Sequence, residues 1–204
     1  MLKFDHLAVS ANSLQEGVAY VEDTLGVALT TGGKHELMGT HNSLLALGDV
    51  YLEVISVDPD ASAPNHPRWF DLDNFSAPPR ITNWICKLDI LRSGIAASPD
   101  GMDNILSLSR GDLSWWMAVP KDGKLPFDNA YPALIEWRGD LHPTDLLPDA
   151  GCSLHRFELI HPQALQMKEA LSGLLDDMPL SISRGEKVGF RAEIKTPHGL
   201  RVLE

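Results

Sequence analysis

The feature that most constrains the fold is a pattern of strand, helix and further strands that recurs along the 204-residue chain. In the first copy, residues 4–10 are rich in strand-forming residues. Residues 14–25 then carry apolar side chains at helical spacing, and Gly26 is a natural helix end. Two apolar strands follow, joined at Gly48-Asp49, a pair typical of a tight hairpin. The pattern predicts a β-α-β-β unit that begins near His6 and ends near Glu53.

The strand that closes this unit has counterparts farther along the chain. Gly48–Glu53 and Gly199–Glu204 both place a glutamate five positions after a glycine, and Ala133–Glu136 again ends two aliphatic residues with a glutamate. Internal repetition of this kind predicts tandem structural units. When the third unit is aligned with the first through its helix start, Arg156 rather than His155 falls at the position equivalent to His6. We therefore predict one domain, residues 1–204, built of modules 1–60, 79–140 and 152–204 joined by proline-rich linkers.

Composition and charge limit the class of protein. The chain is 44% hydrophobic and 22% charged, as in ordinary globular proteins. A formal net charge of −11 would repel nucleic acid, which we exclude as a partner. No apolar run approaches the ~20 residues of a membrane-spanning helix, and the first residues lack the pattern of a signal peptide. Two cysteines without a C-x-x-C pair favour a reduced cytoplasm.

The order of several short motifs resembles the glyoxalase-like domain branch of the vicinal oxygen chelate superfamily. The motifs are Phe4-Asp-His6-Leu-Ala-Val, Gly32-Gly33-Lys-His35, Gly39-Thr40-His41-Asn42, Leu47-Gly48-Asp49 before Tyr51-Leu52-Glu53, Trp115 to Pro120, Leu125-Pro126-Phe127, and Leu134-Ile135-Glu136-Trp137 with His142-Pro143. The resemblance implies an α+β fold in which tandem βαβββ modules form half-barrel sheets around a cleft, with the helices outside.

The resemblance also implies a divalent metal held by the first and last strands of paired modules. Carried over, the ligands are His6, Glu53 and Glu136, and Trp84 occupies a fourth position where it cannot ligate. A histidine with two carboxylates suits Mn, Fe, Ni or Zn. Glu136 is alternatively the catalytic base. The chain has no glycine-rich phosphate loop, so we expect no nucleotide cofactor.

Other residues of these motifs are candidates for substrate binding, each with a structural alternative. His41 and Asn42 lie beside His35 in a segment that the resemblance places near the cleft, but turn chemistry explains them as well. Arg110 can clamp a carboxylate or a phosphate. The remaining candidates are Trp84, Trp115 and His142, for which core packing or a position in a surface loop is the alternative.

Three hypotheses about function follow. The first is a metal-dependent lyase, isomerase or dioxygenase acting on a small oxygenated molecule. The second is a metal-free protein of the same fold that binds or sequesters a small molecule in an aromatic cleft. The third is a protein whose cleft is closed by side chains, because a shared fold does not establish a shared reaction. Three modules leave one without a partner, which makes a homodimer a further hypothesis.

Overall fold

The computed structural model describes residues 1–175 and 179–204 as two β-sheets with short helices. The strands are β1 (Lys3–Ser10), β2 (Thr30–His35), β3 (Thr40–Ala46), β4 (Tyr51–Val57), β5 (Arg80–Lys87), β6 (Ile105–Arg110), β7 (Leu113–Ala118), β8 (Ala133–Arg138), β9 (Ser153–His161), β10 (Leu180–Arg184), β11 (Gly189–Thr196) and β12 (Gly199–Leu203). The helices are α1 (Leu14–Leu25), α2 (Leu91–Ala96), α3 (Pro143–Leu146) and α4 (Ala164–Leu171), and a 3-10 helix covers Trp69–Asn74.

The larger sheet is curved and contains the first two predicted units. Its eight strands lie in the order β2-β3-β4-β1-β5-β8-β7-β6. The two units meet where β1 pairs antiparallel with β5, and in each unit the first strand pairs parallel with the last. At the two free edges, the side chain of Arg110 on β6 lies over Gly33 on β2. The sheet is therefore nearly closed, and the predicted α+β fold of βαβββ modules is confirmed.

Helix α1 shows how local sequence sets the boundaries of an element. The Ser13 side chain accepts a hydrogen bond from the backbone N–H of Glu16, which caps the first turn. Gly26 adopts a left-handed conformation, with φ 72°, and donates its N–H to the carbonyl of Glu22. Val21 and Leu25 are buried on the face that packs on the sheet. Helix α1 therefore lies on the outside of the sheet, as predicted.

The third unit has the predicted order of elements but a different strand order. Its four strands lie in the order β10-β9-β11-β12. The first strand of this unit, β9, pairs parallel with β10, whereas β1 of the first unit pairs with its last strand. The closing strand β12 is consequently an edge strand paired with β11. Glu204, which follows β12, does not occupy the position that Glu53 has in the first unit.

Trp84 belongs to the core between the two sheets. It is fully buried, its ring lies 6.2 Å from that of Phe4 and 5.9 Å from that of Phe157, and its indole N–H donates to the carbonyl of Ala130. These contacts correct the prediction that Trp84 binds substrate. The alternative, core packing, accounts for this tryptophan.

The proline-rich segment before β5 contains the 3-10 helix Trp69–Asn74. Two of its residues, Phe70 and Asp71, adopt left-handed backbone angles, with φ of 59° and 54°. This conformation is uncommon for bulky residues and persists where the surroundings hold it. Here Asp71 donates its N–H to the carbonyl of Gly123, and the side chain of Asn129 donates to the carbonyl of Phe70. Among the helices of residues 1–175 and 179–204, none is long and apolar enough to cross a membrane.

Candidate active site

Glu53 lies at the centre of a buried polar cluster on the inner face of the large sheet. Its Oε2 is 3.6 Å from Nε2 of His6, and its Oε1 is 4.0 Å from Nε2 of His35. The side-chain amide of Asn42 donates to Oε1, while its carbonyl oxygen accepts the N–H of Gly33 at 2.9 Å. Strands β1 to β4 thus bring two imidazoles to one carboxylate.

Asp5 contacts the ring nitrogen of His6 that does not face Glu53. Nδ1 of His6 donates to Oδ1 of Asp5 at 2.6 Å, and the Asp5 side chain is fully buried. Oδ2 accepts from Nε2 of His142 at 2.9 Å and from the indole N–H of Trp137 at 3.1 Å. Neighbouring strand residues normally face opposite sides of a sheet, but a register irregularity between Phe4 and His6 interrupts the pairing here. Asp5 and His6 can therefore contact each other.

The surroundings of His6 favour its charged form. Burial disfavours the imidazolium, but the hydrogen bonds and negative charges of Asp5 and Glu53 outweigh it and raise the pKa of His6. Hydrogen bonds and charge also overcome the effect of burial on the carboxylates. His6 lowers the pKa of Glu53 to about 2, and His142 together with His6 lowers the pKa of Asp5 below its usual range. The cluster thus favours an imidazolium between two carboxylates.

His35 has the opposite preference. Burial, together with the nearby positive charges of Arg110 and His6, lowers the pKa of His35 to about 4, although Glu53 opposes this. Its Nδ1 lies 3.0 Å from Oγ1 of Thr40, and its Nε2 lies 3.4 Å from a guanidinium nitrogen of Arg110. Because the guanidinium can only donate, we assign the proton to Nδ1. His35 is therefore neutral, with the lone pair of Nε2 toward the guanidinium of Arg110 and with Oε1 of Glu53 4.0 Å from the same nitrogen.

A cavity of about 20 Å³ adjoins these groups, which is room for roughly one water molecule. The first unit supplies polar side chains to its wall, and the second supplies Arg110 with aromatic and aliphatic side chains. The lining residues are His6, His35, Tyr51, Glu53, Trp69, Phe70, Arg110, Trp115, Met117, Ile135 and Trp137. Arg110 and Trp115 thus line this cavity, and their role in substrate binding stays a prediction.

Glu136 lies on the opposite face of its strand. Its neighbours Ile135 and Trp137 line the cavity, and adjacent strand residues alternate between the two faces of a sheet. The Glu136 carboxylate accepts the backbone N–H of Leu91 at 2.8 Å and a guanidinium N–H of Arg138 at 3.0 Å. The structure therefore does not bring Glu136 to His6 and Glu53. The predicted roles of Glu136 as ligand or base are corrected accordingly.

The other predicted site residues divide into three positions. Asn42 touches Glu53 directly. His142 contacts Asp5 and caps α3, so it reaches the cluster through Asp5. His41 bonds the hydroxyl of Ser56 at 2.8 Å and does not line the cavity. The sequence did not single out Asp5, although it belongs to a quoted motif, whereas His35 was placed near the cleft together with His41 and Asn42.

The donor set does not fit a preformed metal centre. Within residues 1–175 and 179–204, no three His, Cys, Asp or Glu side chains are arranged to hold an ion. The positions that face His6 and Glu53 from the second unit carry Met117 and Ile135, which offer no nitrogen or oxygen. The guanidinium near His35 would repel a cation. We therefore derive no chemical step through a metal at this cluster.

The paired βαβββ halves and the inward-facing cluster define the class: a protein of the vicinal oxygen chelate superfamily. Residues 4–175 match the family described as glyoxalase-like domain. The chain belongs to this family. The resemblance seen in the motifs is confirmed.

Solved structures share the fold at low sequence identity. A hypothetical protein from Staphylococcus aureus is 14% identical, with a TM-score of 0.67 over 96% of this chain and 91% of that one. A mutant of 4-hydroxymandelate synthase from Streptomyces coelicolor is 16% identical, with a TM-score of 0.54 over 97% of this chain and 60% of that one. Methylmalonyl-CoA epimerase from Mycobacterium tuberculosis is 15% identical, with a TM-score of 0.46 over 67% and 88%. No curated protein matches the sequence.

Proposed function

We propose that this protein is an enzyme that moves a proton on a small oxygenated molecule at the cluster of His6, His35 and Glu53. The observation that carries the proposal is the placement of two imidazoles on either side of one buried carboxylate, next to a cavity. Nδ1 of His6 is bonded to Asp5 and Nδ1 of His35 to Thr40, so each Nε2 is left toward Glu53. Oppositely perturbed groups of this kind are typical of acid–base pairs.

The cluster supports a balanced proton transfer. Nε2 of His35 accepts a proton from the carbon next to a carbonyl group, and the imidazolium of His6 donates a proton to the carbonyl oxygen. The product is an enol, which is an enediol when the carbon that lost the proton carries a hydroxyl group. His35 then returns its proton to the former carbonyl carbon and His6 takes back a proton from the other hydroxyl group, which gives the isomer. Asp5 and Glu53 stabilise the charge of His6, while Asn42 fixes the orientation of Glu53. The chemistry corresponds to the isomerase among the predicted reaction types.

Deuterium exchange tests the proposal without knowledge of the natural substrate. Protein in D2O is mixed with small hydroxycarbonyl and oxo compounds, such as dihydroxyacetone and pyruvate, and exchange at carbon is followed by NMR. Exchange is expected to exceed the background for at least one compound and to fall by about 100-fold or more in His35→Gln. Ser56→Ala, which alters a buried polar residue bonded to His41 outside the cavity, is the control. Equal exchange in His35→Gln would contradict the proposal.

Metal dependence is the alternative chemistry implied by the family resemblance. The Asp5–His6 pair favours it, because metal-bound histidines usually donate their other ring nitrogen to a carboxylate. Metal content before and after chelation decides between the two. Stoichiometric Mn, Fe, Ni or Zn that survives dialysis and is lost in His6→Ala would replace the acid–base proposal with a metal-dependent one.

Binding without catalysis is the second candidate function. The three tryptophans at the cavity, Trp69, Trp115 and Trp137, favour it, because aromatic walls suit small-molecule binding. Ligand-induced quenching of tryptophan fluorescence, without exchange at carbon for any bound compound, would support a sequestering protein.

The proposed homodimer rests on the topology of the third unit. Its strand order is not repeated in the described part of the chain, so it has no equivalent partner there. Light scattering at micromolar concentration measures the mass in solution. A monomeric mass of 22.4 kDa would contradict the dimer.

A further inference from the structure

Two residues that line the cavity carry hydrogen-bond donors that the described chain pairs weakly or leaves unpaired. One is the guanidinium of Arg110: within residues 1–175 and 179–204, no carboxylate lies within 4.0 Å of it. Its hydrogen bond to the uncharged Nε2 of His35 is long, at 3.4 Å. Each carboxylate of the cluster has one oxygen on His6, Oδ1 of Asp5 and Oε2 of Glu53. The guanidinium thus has no carboxylate in direct contact within the described chain.

The second donor is the indole N–H of Trp69. Trp69 is 4% exposed and lines the same cavity, and its Nε1 has no hydrogen-bond partner in the described residues. An indole N–H can only donate, and leaving it unpaired in the interior costs free energy. Buried polar groups without a partner are rare enough to require an explanation. An acceptor supplied by a ligand would be one.

We propose that the cavity takes a small carboxylic acid whose carboxylate binds the guanidinium of Arg110 and accepts the N–H of Trp69. This rests on the proposed function and names its substrate class. A guanidinium matches the two oxygens of a carboxylate with parallel hydrogen bonds. The site is a narrow one between aromatic rings: the ring of His35 lies 5.0 Å from that of Trp69 and 6.0 Å from that of Trp115. This favours a planar carboxylate over a tetrahedral phosphate.

Isothermal titration with glycolate, its neutral amide glycolamide and inorganic phosphate tests the proposal. Glycolate is expected to bind at least tenfold more tightly than the other two probes. Arg110→Gln should weaken glycolate binding by at least tenfold and leave glycolamide unchanged, and Trp69→Phe should weaken it by about threefold. Arg138→Gln removes the same charge from an arginine that stacks on Trp116 outside the cavity, and should bind glycolate as the wild type does.

Three results would overturn the carboxylate site: no glycolate binding, equal affinity for glycolate and glycolamide, or tighter binding of phosphate. Circular dichroism of each variant separates loss of the site from loss of the fold. Failure here is distinct from failure of the proposed function. Glycolate binding that depends on Arg110, with no exchange at carbon for any compound, would support the site and contradict the proton transfer.

We also infer that ligands enter the cavity past Phe70, from a cleft of about 700 Å³ between the large sheet and the third unit. The cavity of about 20 Å³ is too small for a carboxylic acid, so part of its wall must move. Phe70 is the residue that lines both the cavity and the cleft. Its left-handed backbone is held by Asn129, whose side chain also lines the cleft region. Phe70 therefore lies between the cavity and this cleft, on a strained turn.

Quenching of tryptophan fluorescence by acrylamide tests this route independently of any ligand. In a Trp116→Phe background, which removes an exposed tryptophan, Phe70→Ala should raise the quenching constant at least threefold. Phe75→Ala is the matched control, because Phe75 lines the cleft but not the cavity. Equal quenching in the two variants would overturn the route.

Discussion

The two halves of the eight-stranded sheet have the same strand connections and different chemistry on their inner faces. The first half, β1 to β4, contributes His6, His35 and Glu53 to the cavity. The second half, β5 to β8, contributes aromatic and aliphatic side chains at the facing positions, together with Arg110 at the end of β6. The backbone of the repeat therefore sets the shape of the site. The polar chemistry is concentrated in one half.

The comparison of Glu53 with Glu136 explains how this asymmetry arises. Both follow aliphatic residues in the last strand of a half, but Glu53 faces the cavity and Glu136 faces α2. A shift of one residue moves a strand side chain to the other face of the sheet. A fold built of two similar halves can therefore keep its strand pairing even where one half no longer directs its glutamate into the site.

The largest expected effect is in the first half, where the imidazolium of His6 depends on Asp5. Asp5→Ala removes one of its two carboxylate partners and should lower the free energy of unfolding by about 3–5 kcal/mol. Urea unfolding at neutral pH measures the change. Asp49→Ala, at an exposed hairpin, is the control, with an expected change within about 0.5 kcal/mol. Similar changes in the free energy of unfolding at the two positions would show that the polar cluster contributes no more to stability than an exposed hairpin does.

The next largest expected effect is the loss of stability when Glu53 is protonated at low pH. Its pKa of about 2 in the folded protein is below the ordinary value of 4.5, so its ionisation stabilises the fold above pH 4.5 and this contribution is lost as the pH falls toward 2. The loss is on the order of 3 kcal/mol. Urea unfolding at pH 6 and pH 3 should show a smaller decrease for Glu53→Gln than for the wild type. The same pH dependence in both would refute this.

A smaller effect is expected at the contact between the halves. Trp137→Phe keeps the aromatic wall and removes the N–H that donates to Asp5, which should cost about 1.5 kcal/mol. The same change should raise the pKa of Asp5, because a hydrogen bond to its charged form is lost. Thermal unfolding and carboxyl titration by NMR measure the two quantities. An unchanged Asp5 titration would show that the second half does not act on the cluster through this bond.

The smallest effect is expected for Glu136. Glu136→Gln keeps an acceptor for the N–H of Leu91 and should change the free energy of unfolding by about 0.5 kcal/mol. The histidine NMR titration of His6 should stay as in the wild type, whereas Glu53→Gln should lower its pKa. A shift of the His6 titration in Glu136→Gln would place Glu136 in the site after all.

The sequence predicted where helices and strands lie better than it predicted which strand side chains face the cavity. Apolar spacing and turn residues located α1 and the hairpin at Gly48-Asp49, because these are local signals. His6 and Glu53 were found through their motifs, and the structure brings them together. Asp5 was missed because alternation predicts that it faces away from His6, and the irregularity that turns it depends on pairing with β5. Trp69 was missed because the left-handed turn that follows it is set by contacts with distant loops.

Gly33 lies where the two free edges of the sheet approach each other, and this limits which residues can occupy its position. A Cβ at this position would lie 2.9 Å from Cδ of Arg110, so a side chain there would push the guanidinium aside. The residue allowed at one edge of the first half thus depends on the residue at the far edge of the second. In a set of related sequences, the two positions should change together, and a replacement of the arginine should release the requirement for glycine.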